Sequence, residues 1–194
     1  MTDLCTANLS ASVGDNKCMK VGIKDIAYLA NYDEIDSFTY HATLPNVITN
    51  VVMKNDPSGS PYKMYELKGI NNTNEMATET VKGKVYSLFA QSFNFVCNDM
   101  TREGLERMDE LNNFKGIVIF GSTFGGTNGV DTYKILGVEN GLFNDKITGS
   151  YKSKDGAWII NLKSMTDYEE SKNQYIFDVG SKATTEARLA VLIA

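Results

Sequence analysis

In the stretch KGKVYSLFAQSFNFVCND, residues 82–99, apolar side chains occupy both parities. Val85, Phe89, Phe93 and Phe95 fall on one side of an extended chain, and Tyr86, Leu88, Ala90 and Val96 on the other. The period of two predicts a long strand. Because both of its faces are partly apolar, it requires cover on both sides. It must be a central strand, or one whose second face meets another subunit. KGIVIFG, residues 115–121, makes the same demand more sharply as a short, wholly apolar, buried strand.

Turn chemistry cuts the rest of the chain into short pieces. KVGIKDIAYLAN reads as a strand with imperfect alternation, and NYDEIDSF as a polar connection. NVITNVVMK is β-branched and strand-like, and NDPSGSPY is the strongest turn cluster in the chain. KMYELKG and NEMATETV are expected to pair around GINNT. Further strands are expected in DTYKILGVEN, GAWIINLKS and NQYIFDVGS. One helix stands out at about residues 99–114, with Asp99 or Thr101 as its cap and Leu105, Met108 and Leu111 as its apolar stripe. Gly104 weakens it by roughly 1 kcal/mol relative to alanine.

About ten short strands and one conspicuous helix predict an α+β, mainly β fold: a sandwich or half-barrel of antiparallel strands with a flanking helix. The 194 residues suit one domain. We expect an arm at 1–18, a β-rich domain at 19–181 with a long loop at 43–62, and a C-terminal strand or arm at 182–194. Isolated hairpins are marginal in water. The apolar run in the 43–62 loop and the run Leu189 to Ile193 are therefore expected to bridge subunits or adjacent rings, the alternative for the C-terminus being a last strand that completes its own sheet.

The formal net charge of −5 gives no sign of affinity for nucleic-acid phosphates. The opening lacks the basic and apolar regions of a signal peptide, and no apolar run is long enough to span a bilayer. Synthesis and assembly in a cytoplasm are expected, with no membrane partner. Cys5, Cys18 and Cys97 are odd in number and without paired spacing, so thiols are expected rather than disulfides.

GSTFGGTNG, residues 121–129, has the glycine spacing of a phosphate loop, but Thr127 and Asn128 stand where lysine and a hydroxyl residue are needed. A hairpin tip or subunit contact is the better reading. His41 is the only histidine, and no nucleophile elbow is present. The acidic runs YDEID, with Asp33, Glu34 and Asp36, and MTDYEES read as solvated loops. No catalytic, cofactor-binding or metal-binding residue is assigned, and no enzymatic activity is expected.

The stretch from ETVKGKVYS to TYKILGVENGLFND resembles the tail-tube or ring-forming virion proteins of phages infecting gut Bacteroidota, crAss-like phages among them. Glu79, Arg107, Leu111, Ile117 to Phe120, Leu136, Gly137, Asn140, Gly141 and Leu142 fall in step with that pattern, most sharply from Leu136 to Leu142. The resemblance implies a structural protein of the virion tail, assembled in the host cytoplasm. Six or twelve copies, by analogy, would ring a DNA conduit and stack on adjacent rings, connector or hub proteins, with DNA passing through unbound. A head-tail connector or stopper subunit is a variant of this reading. The residues alone leave open a carbohydrate-binding adhesin module using Tyr62, Tyr65 and Trp158. In the structural reading Asn140-Gly141 supplies a turn with positive φ, and Gly137 permits close backbone approach or a bulge.

Overall fold

A computed structural model of the chain describes residues 22–69, 73–82, 87–97, 101–123, 125–150 and 157–194. The strands are β1 (Ile23–Asn31), β2 (Ile35–Tyr40), β3 (Val47–Met53), β4 (Tyr65–Lys68), β5 (Glu75–Lys82), β6 (Ser87–Cys97), β7 (Lys115–Ser122), β8 (Tyr133–Leu136), β9 (Leu142–Ser150), β10 (Ala157–Lys163) and β11 (Tyr175–Phe177). The helices are α1 (Arg102–Leu111) and α2 (Lys182–Ile193). The fold is α+β and mainly β, as expected, and its mostly antiparallel sheet does not close.

β7 is the centre. Its interior is buried on both faces, as a run of consecutive apolar residues requires. Val118 and Phe120 face a first core with Phe93, Phe95, Leu136 and Leu142. Ile117 and Ile119 face a second core with Ile48, Val51, Ile135 and Phe177. β1 pairs along one edge of β7, and β4 pairs on β1. The other edge carries β8 and then β9, both antiparallel to β7. Beyond β8 the sheet continues through β11 and β3 to β2; beyond β9 it continues through β10 and β6 to β5.

β6 is the long strand foreseen from its alternation. Gln91, Phe93, Phe95 and Cys97 are buried, while Leu88, Ala90 and Val96 on its other face are half-buried. β4 and β5 do not pair with each other as expected: β4 joins β1 and β5 joins β6. Asn74 holds the start of β5 against β6 instead, donating to Lys24 O and accepting from Val96 N. The loop expected at 43–62 contains β3, an internal strand. Val47, Ile48, Val51 and Met53 are buried, so the apolar run needs no second subunit to cover it.

α1 covers the first core, and Thr101 caps it by accepting from Gly104 N. Its buried stripe is Gly104, Met108 and Leu111; Leu105, expected inside, is exposed. The C-terminus corrects the expected strand or arm, because it is helical and internal. Ser181 and Thr184 form a reciprocal capping box, and Thr185, Leu189 and Leu192 recur at helical spacing and are buried in the second core. Arg188 Nε donates to Asn50 Oδ1 at 2.8 Å, and Met64 N donates to Leu192 O at 2.8 Å. The bridging role expected for this segment gives way to a core role. Burial of Leu189 and Leu192 contributes about 1.5–3 kcal/mol each, a large part of a typical domain's net stability. Deleting residues 182–194 is therefore expected to abolish the cooperative thermal transition in circular dichroism, and an intact transition would refute the core role.

Candidate functional site

The segment that carries the sharpest resemblance lies where the sheet divides. Val118 of β7 pairs with Leu136 and Gly116 with Leu142, so one intervening residue of β7 stands against five of the opposing chain. The excess of four loops out between β8 and β9. An even excess preserves side-chain parity, and Leu136 and Leu142 both return to the first core.

A looped-out backbone inside a protein must find partners for its polar groups. Gly137 N donates to Gln91 Oε1 at 2.8 Å. Glu139 N and Asn140 N donate to the two oxygens of Glu170, each at 2.9 Å. Gly141 N closes back on Gly137 O at 3.1 Å. The Tyr32 hydroxyl donates to Val138 O and Glu139 O at 3.1 and 2.6 Å. Asn140 Nδ2 donates to Glu169 O at 2.7 Å. Gly137 and Gly141 have φ of +74° and +82°, whereas Asn140 is not among the positive-φ residues, so the expected Asn-Gly turn takes its left-handed geometry from its glycine alone.

Glu170 sits on the strap between β10 and β11, residues 164–174, which the acidic run MTDYEES had suggested was solvated. Glu170 is fully buried. Its backbone bridges Phe89 of β6 in both directions, at 2.8 and 3.0 Å. Gln91 binds the same strap, donating to Lys172 O and Asn173 O at 3.1 and 2.9 Å. In return the half-buried Glu139 reaches the strap, accepting from Ser171 N and Tyr175 Oη at 2.8 Å each, and from the Ser171 hydroxyl. Burial pushes the Glu170 carboxyl above its ordinary range, against the two backbone N–H groups that favour its anion, and the neighbouring Glu139 adds to the rise. Burial pushes Glu139 up as well, but hydrogen bonds from Ser171 and Tyr175, with Lys172 nearby, outweigh it and hold that carboxyl low. Both carboxylates are engaged by main-chain donors, which makes this cluster a brace.

The remaining residues singled out by sequence do not converge on it. Glu79 is exposed on β5, and Leu111 is buried under α1. His41 lies exposed in the β2–β3 turn, where its Nδ1 accepts from Thr43 N at 3.3 Å. Glu34 and Asp33 build a short 3-10 turn, with Glu34 Oε1 accepting from Asn31 and Asp33 O from Lys54. Asp36 is exposed on β2. Cys97 is buried in the first core; Cys5 and Cys18 lie outside the described residues, as does the arm at 1–18. Gly121 and Ser122 end β7, which pairs antiparallel with β8, and Thr127–Gly129 form a short 3-10 turn before β8 with φ of +58° at Asn128. Tyr62 and Trp158 pack on opposite cores and Tyr65 is exposed on β4, so the three form no common platform. Among the described residues no group of three or more His, Cys, Asp or Glu could hold a metal ion, and no helix is long and apolar enough to cross a membrane.

A cleft of about 660 Å³ opens between α1, β4 and the end of α2. Leu67, Met108, Leu111 and Phe114 are among its walls, and Arg107, from the resemblance, is at its edge. In comparisons with known proteins, no family model, no curated protein and no solved structure matches the chain.

The brace yields two expectations. A Cβ on Gly137 would meet Gly116 O and Leu142 N at 2.7 Å, both backbone, whereas on Gly141 it would meet the flexible Lys115 side chain at 3.2 Å. Gly137→Ala is therefore expected to cost several-fold more stability than Gly141→Ala, which carries mainly the φ penalty of about 1 kcal/mol. Denaturant titration of both variants checks the order. Second, Glu170→Gln places an amide donor against one backbone N–H, at a cost of about 1–3 kcal/mol. Since the Glu170 pKa is raised on folding, its titration favours the fold below its unfolded pKa, and that contribution is lost as pH rises through the folded value. The wild-type advantage in Tm over Glu170→Gln should thus be larger near pH 5 than near pH 7.5.

Proposed function

We propose that the chain is a structural subunit of a bacteriophage tail that self-assembles into a ring or tube around the DNA conduit, stacked on adjacent rings or on connector or hub proteins. One observation carries this reading. The residues of the sharpest resemblance, Leu136 to Leu142, coincide with the braced corner of the fold, where Glu139 and Glu170 bind main-chain N–H groups. A motif used in this way specifies architecture. The division of the sheet agrees with it: the nine-strand path ends at β2 on one side and β5 on the other, and neither pairs with a further strand among the described residues. An open sheet offers backbone groups at both ends, the geometry from which head-to-tail contacts between copies form. The connector or stopper variant uses the same features and differs only in position along the virion.

Native mass spectrometry and negative-stain imaging of the purified chain test this directly. Closed rings, six- or twelvefold by analogy, are the expected outcome; a monomer at every concentration that binds glycans would replace this reading with the adhesin one. If rings form, their bore should be neutral or acidic, because lysines along it would hold the passing phosphates. A bore lined with lysine would overturn the conduit role.

A further inference from the structure

We propose that copies of this chain join by inserting the β2–β3 turn of one into the α1–β4 cleft of the next, a contact that rests on the self-assembly reading above. The turn is a knob that carries Leu44, with Ala42 and Pro45 beside it. Residues 41–46 are all exposed, Leu44 at 49% and the neighbouring Tyr40 at 46%. Its shape is fixed. His41 N donates to Val47 O at 2.9 Å, Val47 N donates to Leu44 O at 3.0 Å, and Pro45 restricts the backbone between them. A preformed knob loses little conformational freedom on docking. From Tyr40 to Asn46 it contains no carboxylate and no lysine or arginine.

The cleft has the matching character. Its walls include the buried Leu67, Met108, Leu111 and Phe114, with Tyr65 half-exposed beside them. Its charged residues, Glu66, Lys68, Arg107 and Glu110, balance in sign, and Glu66 and Lys68 already pair at 3.0 Å. A balanced rim favours a neutral insert over a charged one. About 660 Å³ accommodates several side chains of a turn.

The knob cannot fill the cleft of its own chain. Leu29 and Asn31 at the end of β1 line the cleft, and the chain then passes through residues 32–34 into β2. β2 then runs six residues, from Ile35 to Tyr40, which puts Tyr40 about 16 Å from its start at ~3.3 Å per residue. The knob is seated beside β11 instead, where the Tyr40 ring packs on Tyr175 and Ile176 N donates to Asn46 O at 2.9 Å, and no residue of β11 or of the turn lines the cleft. Two complementary patches at different places make a heterologous contact, which closes into rings or continues as a filament.

The test uses the full chain with Leu44 replaced by the photoreactive residue p-benzoylphenylalanine, in a mixture of isotope-labelled and unlabelled copies. Irradiation is expected to give cross-links from position 44 to residues 64–68 or 104–111 of a different copy. Leu44→Asp is expected to weaken self-association at least tenfold in sedimentation, with an unchanged circular dichroism spectrum. Normal assemblies with cross-links elsewhere, or assembly of Leu44→Asp at wild-type concentration, would overturn this contact and leave the ring reading standing. A chain that is monomeric at every concentration would overturn both.

Discussion

β7 must be covered on both faces, and the architecture follows from that demand. Ile117, Val118, Ile119 and Phe120 are buried without interruption, so neither side of the strand can face water. Each buried side chain contributes about 1.5–3 kcal/mol only if its own face is closed. Two cores result, and each receives its own helix. Met108 and Leu111 of α1 close the first core, and Leu189 and Leu192 of α2 close the second. The edge beside β7 is divided in the same way: β8 leads the sheet toward the second core, and β9 leads it toward the first.

Dividing a sheet at a looped-out segment strands polar backbone groups, and here the repair comes from three other places in the sequence. Tyr32 follows β1, Gln91 lies in β6 and Glu170 lies on the strap after β10. Each ties a different part of the sheet to residues 137–141. The same strap pairs with β6 through Phe89 and leads into β11, so it joins the two arms of the sheet that the excursion separates.

What was legible in the sequence follows this division. KGIVIFG and the alternation of residues 87–97 report burial through local pattern alone, and both strands lie where that pattern requires. The C-terminus carried a legible signal that pointed the other way: Ser181 with Thr184 three residues on, then Thr185, Leu189 and Leu192 at helical spacing. The apolar run Leu189 to Ile193 suggested a strand or a bridging arm, but Leu189 and Leu192 are buried in the chain's own core and Val191 faces solvent. The pairing of β4 and β5 was illegible for a different reason. Nearness in sequence favoured a hairpin, while β4 pairs with β1 and β5 is held to β6 by contacts such as Val96 N on Asn74 Oδ1. Gln91 left a trace, as a polar residue on the buried parity of β6. Glu170 left none, because the N–H groups it binds belong to residues 139 and 140, and an acidic run reads as solvated unless its distant donors are known.

The choice of a carboxylate for that position follows from the geometry of its partners. Glu139 N and Asn140 N are consecutive donors that converge on one side chain, and each needs its own acceptor. A glutamine offers one acceptor and presents a donor to the other N–H. An apolar residue leaves both unsatisfied, at about 1–3 kcal/mol each. Glutamate satisfies both, at the cost of desolvating a charge, and two charge-assisted hydrogen bonds offset part of that cost. The second carboxylate, Glu139, adds repulsion but is held apart by its own donors, Ser171 and Tyr175. Each acid thus binds the backbone of the segment that bears the other. Loss of either frees donors on the opposite segment, so the excursion and the strap hold each other in place. In the proposed ring, a corner of that kind would hold the two arms of the open sheet alike in every copy, so that successive copies meet at the same angle and close.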